Sequence, residues 1–236
     1  MHEVKIPDYI VERVVERRGK VHIHDDLDPA KTALLVVDLQ NAFMVEEHAA
    51  AFVPGCVDIV PNVNRLAEAV RVSGGRVYWI RNTITDESRE AWSHWFAMTG
   101  HDAERAAKRQ ANMVEGAVGH ELYPDLVVKP EDETVLKHRF SALIQGSSDL
   151  HERLQAAGIE TVIVTGTVTS VCCESTARDA MMLNYKTIMV SDGNAAMTDA
   201  EHNAALTAFY ATFGDVMDTE ALIDTLQSNA TQAAAQ

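Results

Sequence analysis

Short, nearly continuous apolar runs alternate with helical patterns along this chain from residue 33 onwards. Such runs are typical of parallel strands that are buried on both faces of a sheet. The predicted strands occupy residues 33–38, 76–81, 134–137, 161–165, 186–190 and 215–218. The segments between them predict helices over residues 57–73, 172–183 and 199–213, and a further helix that begins after Ser147 or Ser148 and ends at Gly158.

This alternation predicts an α/β fold of the doubly wound type. Crossovers between parallel strands are right-handed, so the intervening helices must lie above and below the sheet. We therefore expect a three-layer sandwich around a mostly parallel six-stranded sheet. Ligands of such folds bind beyond the carboxyl ends of the strands, which makes the residues that follow each strand the ones to consider for function.

The chain is expected to form one domain with a short appendage at each end. Its 236 residues suffice for one sizeable core. We assign residues 33–228 to the α/β domain. Residues 1–32 mix charges with an amphipathic stretch and are interpreted as an N-terminal extension, in which His22 and His24 are expected at the surface in a strand-like stretch. The Ala- and Gln-rich residues 229–236 are predicted to form a flexible tail.

The charge balance and the start of the chain exclude several classes of partner. Asp and Glu outnumber Lys and Arg by 35 to 20, and an acidic surface repels phosphate backbones and anionic lipid headgroups. Neither nucleic acid nor a membrane is therefore an expected partner. Since no secretion signal or long apolar stretch occurs, we expect a cytoplasmic protein. The odd number of cysteines, which are Cys56, Cys172 and Cys173, favours reduced thiols.

Three ionisable residues, Asp38, Lys137 and Cys172, follow three different predicted strands and can converge at one edge of the sheet. A helix N-terminus and a nearby ammonium are expected to lower the pKa of Cys172 from about 8.5 towards neutrality. A carboxylate beside the thiol can move the protons that amide hydrolysis requires. Taken singly, each residue also fits a structural role. Together they predict a cysteine hydrolase that breaks an amide-type C–N bond.

Several segments resemble the isochorismatase-like cysteine hydrolases. The nucleophile motif of that family is similar to residues 165–180, which read TGTVTSVCCESTARDA. Other family segments resemble, in the same order along the chain, ALLVVDLQNAF at 33–43, GAVGHEL at 116–122, VLKHRFSA at 135–142 and NYKTIMVSDGNAA at 184–196. The resemblance covers roughly residues 32–218 and implies the doubly wound fold predicted above.

The resemblance also implies a role for each candidate residue. Asp38 would be the general acid and base, Lys137 would orient and support it, and Cys172 would form a thioester with the substrate. The family places a cis peptide in the nucleophile loop, which here falls between Thr167 and Val168. The backbone amides of Val168 and Cys172 would then form an oxyanion hole.

Within the family, the chain resembles most closely the amidohydrolases that act on ureido compounds such as ureidoacrylate and biuret. On that analogy Asn82 would bind the substrate amide, Phe140 and Ser141 would line the pocket, and Arg139 would meet a substrate carboxylate. The long interval at about 82–131 carries an aromatic group that forms either a lid or part of the core. This group consists of Trp92, Trp95 and Phe96. Trp92 is also a candidate for substrate binding.

Other interpretations stay open at this stage. Nicotinamidases of the family bind a metal through an Asp-x-His pair, but Asp86 has no histidine two residues later, so neither a metal nor another cofactor is expected. The alternatives to an amidohydrolase are a vinyl ether hydrolase of the isochorismatase type and a catalytically inert binding protein. The family resemblance suggests a homo-oligomer, either a dimer or a tetramer.

Overall fold

A six-stranded sheet forms the centre of the computed structural model, which describes residues 1–235. The strands are β1 (Thr32–Val37), β2 (Arg76–Asn82), β3 (Glu133–Lys137), β4 (Thr161–Thr167), β5 (Lys186–Ala195) and β6 (Asp215–Met217). Their order is β3-β2-β1-β4-β5-β6, and every neighbouring pair is parallel. The predicted strands and the doubly wound class are confirmed.

The helices lie on both faces of the sheet. They are α1 (Asp8–Arg18), α2 (Asn41–Met44), α3 (Cys56–Val72), α4 (Asp86–Ala91), α5 (Ser93–Met98), α6 (Ala103–Asn112), α7 (Leu150–Ala156), α8 (Glu174–Met182), α9 (Asp199–Thr212) and α10 (Thr219–Ala234). One apolar core lies between the sheet and α3 with α10, and a second between the sheet and α1, α7, α8 and α9. Because side chains alternate along a strand, Leu34 and Val36 enter the first core and Leu35 and Val37 the second.

The sheet has a topological switch point between β1 and β4. The first three strands proceed outwards on one side of β1, whereas β4 begins the other half of the sheet. Gly166 of β4 passes so close to β1 that an added Cβ atom would lie 2.0 Å from the carbonyl oxygen of Val37. Its φ of +123° is also one that L side chains rarely adopt. A glycine is therefore required where the two strands meet.

The N-terminal extension packs against the α/β domain. Ile10 and Val14 of α1 are buried in the second core. The strand-like conformation predicted for His22 and His24 is wrong, since His24 lies in a turn and neither residue belongs to a strand. The reason is a contact with the buried Asp215: its Oδ1 lies 3.1 Å from His22 Nδ1, and its Oδ2 accepts from the His24 amide at 3.1 Å.

The two remaining segments are an inserted helical region and the chain end. The interval at 82–131, for which the sequence analysis predicted no helix, contains α4, α5 and α6. At the end of the chain, residues 229–234 continue α10, and Gln236 of the predicted tail lies outside the described residues. Within residues 1–235, no helix combines the length and apolarity needed to cross a membrane.

Candidate active site

The three candidate residues are presented by three elements that end at the same edge of the sheet. Asp38 directly follows β1 with a left-handed φ of 56°, and its amide donates to the Ile80 carbonyl at 2.9 Å. Lys137 is the last residue of β3. Cys172 lies in a π-helical turn, Thr169–Cys173, between β4 and α8. The topological switch point thus lies directly beneath the trio.

The side chains of the trio meet in the interior. Lys137 Nζ lies 2.8 Å from Asp38 Oδ2 and 3.5 Å from Cys172 Sγ, and it donates to the Arg139 carbonyl at 3.0 Å. Asp38 and Lys137 are fully buried, and Cys172 is 3% exposed. The convergence expected from the strand ends is therefore present, and the lysine ammonium is shared between a carboxylate and a thiol.

Burial controls the protonation of this trio. It raises the pKa of Asp38 against the opposing pull of the Lys137 ammonium. Burial alone would lower the pKa of Lys137, but the charges of Asp38 and Cys172 outweigh it and raise that pKa. The prediction of a lowered pKa for Cys172 is wrong, because burial raises the pKa of this thiol despite the adjacent ammonium. At rest the sulfur carries its proton, and Asp38 is the nearest acceptor.

The backbone around the nucleophile matches what the resemblance implied. The Thr167–Val168 peptide is cis. The Val168 carbonyl accepts from the amides of Val171 and Cys173 at 3.0 and 3.2 Å, which closes the π-helical turn around Cys172. Cys173 and Cys56 are both free and fully buried, and the reduced thiols expected from the sequence are present.

A buried histidine supports the nucleophile turn from α9. His202 Nε2 lies 3.0 Å from the Ser191 carbonyl, and its Nδ1 lies 2.9 Å from Thr169 Oγ1. Burial lowers the pKa of His202 to about 4, so the ring is neutral at pH 7. Its Nε2 then donates to Ser191, and its Nδ1 accepts from the Thr169 hydroxyl. The sequence analysis missed His202, because a single histidine on a helix carries no local motif.

An open cavity of about 430 Å³ lies in front of Cys172. Four of the residues predicted for the site line it, namely Asn82, Trp92, Phe140 and Val168, as does Cys172 itself. Ser141 lies instead in a buried turn, where its Oγ accepts from the Leu143 and Ile144 amides at 3.1 and 3.3 Å.

Arg139 is also outside the cavity lining. Its guanidinium lies over the ring of Trp92, 5.2 Å from the centroid, and donates to the Ala91 carbonyl at 3.3 Å. The side chain that was expected to meet a substrate carboxylate therefore supports Trp92 from outside the cavity.

Four aromatic side chains cover one wall of the cavity, and we call them the aromatic roof. They are Trp92, Trp95, Phe96 and Phe140. The two tryptophan rings are stacked with centroids 4.4 Å apart, and Phe140 meets both edge-on at 4.9 and 5.4 Å. Of the two roles considered for the aromatic interval, the structure favours a cover over the cavity.

The cavity and its surroundings offer few metal ligands. Within residues 1–235, no three His, Cys, Asp or Glu side chains are grouped closely enough to hold a metal ion. The polar residues of the cavity lining include Asn82, Thr83 and His138. His138 Nδ1 donates a hydrogen bond to the Thr83 carbonyl at 2.8 Å.

Comparisons with known proteins agree with this geometry. Residues 32–221 match the model of the isochorismatase domain family. A probable inactive nicotinamidase of Arabidopsis thaliana is 35% identical over 175 residues, which cover 73% of this chain and 85% of the plant protein. A ureidoacrylate amidohydrolase of Methylobacterium radiotolerans is 31% identical over 207 residues, covering 83% of this chain and 79% of that enzyme.

A solved structure shares the same architecture. The crystal structure of a cysteine hydrolase from Pseudomonas syringae pv. phaseolicola superposes with a TM-score of 0.73 at 28% identity, and the match covers 86% of this chain and 96% of the other. The resemblance inferred from the sequence motifs is thereby confirmed.

Proposed function

Because this chain belongs to the isochorismatase family, we propose that it is a cysteine-dependent amidohydrolase that cleaves a C–N bond of a small ureido or carboxamide compound. The observation that carries this proposal is the buried trio beside an open cavity. Its central contacts are the 2.8 Å separation of Lys137 Nζ from Asp38 Oδ2 and the 3.5 Å separation of Lys137 Nζ from Cys172 Sγ. A nucleophile, a proton acceptor and a fixed positive charge thus meet at one place.

The first step is attack of sulfur on the substrate carbonyl carbon. The Cys172 thiol passes its proton to the Asp38 carboxylate as the S–C bond forms, so no free thiolate needs to exist beforehand. Lys137 keeps its proton and offsets the negative charge of the trio. The Val168 and Cys172 amides are proposed to donate to the carbonyl oxygen as it becomes negative, and such donors typically contribute about 3 kcal/mol each.

The second step releases the nitrogen. Asp38 returns the proton to the departing amine or ammonia as the C–N bond breaks, which leaves an acyl or carbamoyl thioester on Cys172. Water then attacks the thioester carbonyl while Asp38 accepts a proton from it. Departure of the sulfur, with that proton, restores the thiol. The Asp38 carboxylate thus accepts and returns each proton that moves in the reaction.

The relatives support hydrolysis of this bond class without naming the substrate. A ureidoacrylate amidohydrolase acts on a ureido C–N bond, and it is 31% identical to this chain. The plant relative is a probable inactive nicotinamidase, so an inert protein is the alternative to an active enzyme. In this chain Asp38, Lys137 and Cys172 are all present and in contact, and that is the reason for proposing activity.

The proposal is tested by an ammonia-release screen over nicotinamide, ureidoacrylate, biuret, N-carbamoyl amino acids and maleamate. Cys172→Ala is expected to lower turnover of any hydrolysed compound by at least about 1,000-fold, because it removes the nucleophile. Cys173→Ala is the matched control, since this neighbouring thiol is fully buried and outside the cavity lining. Amide hydrolysis that survives in folded Cys172→Ala would refute the mechanism.

The Cys172→Ala variant and thiol labelling distinguish the amidohydrolase from a vinyl ether hydrolase and from an inert protein. A vinyl ether hydrolase that relies on the acid alone would keep its activity in Cys172→Ala. For an inert protein, iodoacetamide should label Cys172 and Cys56 equally slowly. For the proposed enzyme, Cys172 should react much faster, because it lines the cavity beside Asp38. Cys56 is fully buried and outside the cavity lining, so the reagent should not reach that thiol.

A further inference from the structure

The cavity in front of Cys172 is larger than a biuret-sized molecule requires. Its volume of about 430 Å³ lies within the range of roughly 300–1,000 Å³ that is typical of sites for drug-sized ligands. A small polar ureide in such a space would leave most of the wall in contact with water. The size of the cavity therefore indicates a substrate with a bulky group beyond the reacting amide.

The wall of this space is suited to an apolar group. The aromatic roof provides the stacked rings of Trp92 and Trp95, with Phe140 edge-on to both. Aliphatic and aromatic side chains complete the apolar lining, among them Ala42, Phe43, Ile84, Met113, Val171 and Met197. Burying apolar surface against such a wall is favourable by roughly 25 cal/mol per Å², whereas a polar group placed there loses its hydration.

The charges of the lining balance and offer little to a substrate carboxylate. Two are acidic and two are basic, namely Asp102, Glu201, Arg105 and Arg109. Only Arg109 is buried. Its guanidinium lies over Trp95, 4.7 Å from the ring centroid, and donates to Thr99 Oγ1 at 2.9 Å. Arg109 is thus engaged by Trp95 and Thr99, and the other cation of the lining, Arg105, is exposed. A carboxylate in the interior of the cavity would therefore lack a buried counter-ion.

The Asn82 side chain is free to bind the amide end of a substrate. The backbone of Asn82 is held by Gln40, whose Oε1 accepts from the Asn82 amide at 2.7 Å and whose Nε2 donates to the Asn82 carbonyl at 3.2 Å. The Asn82 side chain lines the cavity and makes no hydrogen bond to any other residue of the part described, 1–235. Polar recognition is thus concentrated at the strand ends, and apolar recognition at the roof.

We infer that the substrate is an uncharged carboxamide or ureide that carries a bulky aryl or branched alkyl group, which packs against the aromatic roof. This inference rests on the proposed amidohydrolase function. It changes the expectation for the substrate, since a substrate carboxylate was predicted to meet Arg139 and that side chain does not line the cavity. The amide carbon lies at Cys172, and the apolar group fills the space beneath Trp92 and Trp95.

The test compares two matched series in the ammonia-release assay. The first contains acetamide, benzamide, phenylacetamide and naphthylacetamide. The second contains biuret, N-carbamoylglycine, phenylurea and benzylurea. Within each series kcat/KM is expected to rise by roughly ten-fold or more from the small or charged compound to the large aryl compound. Acetamide, biuret or N-carbamoylglycine equalling the aryl compounds would overturn the inference.

Substitutions in the aromatic roof test whether the preference for large aryl compounds arises there. Phe140→Ala and Phe96→Ala are expected to lower kcat/KM for naphthylacetamide by at least about ten-fold more than kcat/KM for acetamide. Phe213→Ala is the control, because this half-buried ring stacks on Phe209 outside the cavity lining. Equal losses for the large and small amides in the roof variants would contradict the assignment.

Binding separates this inference from the proposed function. Two of the three tryptophans, Trp92 and Trp95, belong to the roof, and Trp79 is buried in the first core. Naphthylacetamide should therefore change the tryptophan emission of the protein, and the change should be lost in Trp92→Phe combined with Trp95→Phe. Binding without ammonia release would refute the amidohydrolase and leave the apolar site standing. Neither binding nor turnover of the aryl amides would overturn the inference.

Discussion

At the scale of single residues, the decisive feature is that the Lys137 ammonium contacts both the Asp38 carboxylate and the Cys172 thiol. Burial raises the pKa of both acids. The thiol is therefore protonated at neutral pH, and the reaction needs Asp38 as an acceptor at the moment of attack. Lys137, whose pKa is raised by its neighbours, stays charged throughout. The trio works as one unit, since no member has its ordinary acidity.

The pH dependence of activity should report the raised pKa of Asp38. Only the carboxylate form can accept the thiol proton, so kcat/KM should fall as the pH decreases through that pKa. The acid limb is expected at a pH above 3.8, the ordinary pKa of the group. Asp38→Asn should lower kcat/KM by about 100-fold or more.

A suitable control for this pH profile is Asp102→Asn. Asp102 is an exposed carboxylate at the cavity mouth, so its replacement should leave the acid limb unchanged. Undiminished activity of the wild-type protein down to pH 4 would argue against Asp38 as the proton acceptor.

The contact between Thr169 and His202 is expected to position the nucleophile turn. Thr169→Val removes the hydroxyl that donates to His202 Nδ1, leaving a buried acceptor without its partner at a cost of about 1–3 kcal/mol. We expect kcat to fall roughly ten-fold with a smaller change in KM, because the turn carries Cys172. Thr169→Ser keeps the hydroxyl and should restore kcat. Equal kcat in the valine and serine variants would show that the contact has no positioning role.

At the scale of elements, the N-terminal extension is attached to the domain by several contacts, of which two involve buried residues of the domain. The helix α1 contributes Ile10 and Val14 to the second core. The turn after it brings His22 and His24 to Asp215 at the start of β6. An apolar contact and a polar contact thus both fix the extension to the α/β domain.

The His22 contact makes part of the stability pH-dependent. The hydrogen bond to Asp215 raises the pKa of His22 above 6.5. Because the folded-state pKa is the higher one, the stabilisation is fully present below pH 6.5 and is lost as the pH rises through the raised value. His22→Gln should lower the free energy of unfolding at pH 6 by at most about 1 kcal/mol, since the pair is partly solvated.

The measurement for His22 is thermal unfolding of the wild-type protein and the variant at pH 6 and pH 9. The difference in Tm should shrink at the higher pH. His94→Gln, in which an exposed histidine of α5 is replaced, serves as the control and should behave like the wild type. A difference that grows with pH would have the wrong sign for a raised pKa.

At the scale of the whole molecule, stability is distributed unevenly between the sheet and the cover of the cavity. All seven residues of β4 are buried. Along α4, α5 and α6 only Ser88 and Arg109 are buried. Segments with few buried contacts open locally at lower free energy than the core. The cover is therefore the part of the molecule best able to admit a substrate.

Amide hydrogen exchange should differ between the sheet and the cover of the cavity. Amides of residues 86–112 are expected to exchange faster than those of 161–167, and an aryl amide bound under the roof should slow the first group only. Mass spectrometry of peptic fragments, with and without the compound, measures both. Equal protection of the two segments in the free protein would contradict a loosely held cover.

The strands and the candidate trio could be predicted from local sequence because their physical causes are local. A fully buried parallel strand must be apolar throughout, so each run identified its strand. The right-handed crossover then brings the strand ends to one edge, and Asp38, Lys137 and Cys172 each lie at such an end. The domain limits and the predicted homo-oligomer remain predictions, since they concern cooperative folding and association.

The remaining features depend on residues that are distant in the chain. The sign of the Cys172 pKa shift is set by complete burial under many elements, which no motif records. The orientation of Arg139 depends on the position of Trp92, and the conformation of His22 depends on Asp215. The order of apolar and polar residues thus determined the sheet, its parallel course and the identity of the trio. Packing between distant segments decided the acidities, the shape of the cavity and its apolar wall, because desolvation and contact area exist only in the folded chain.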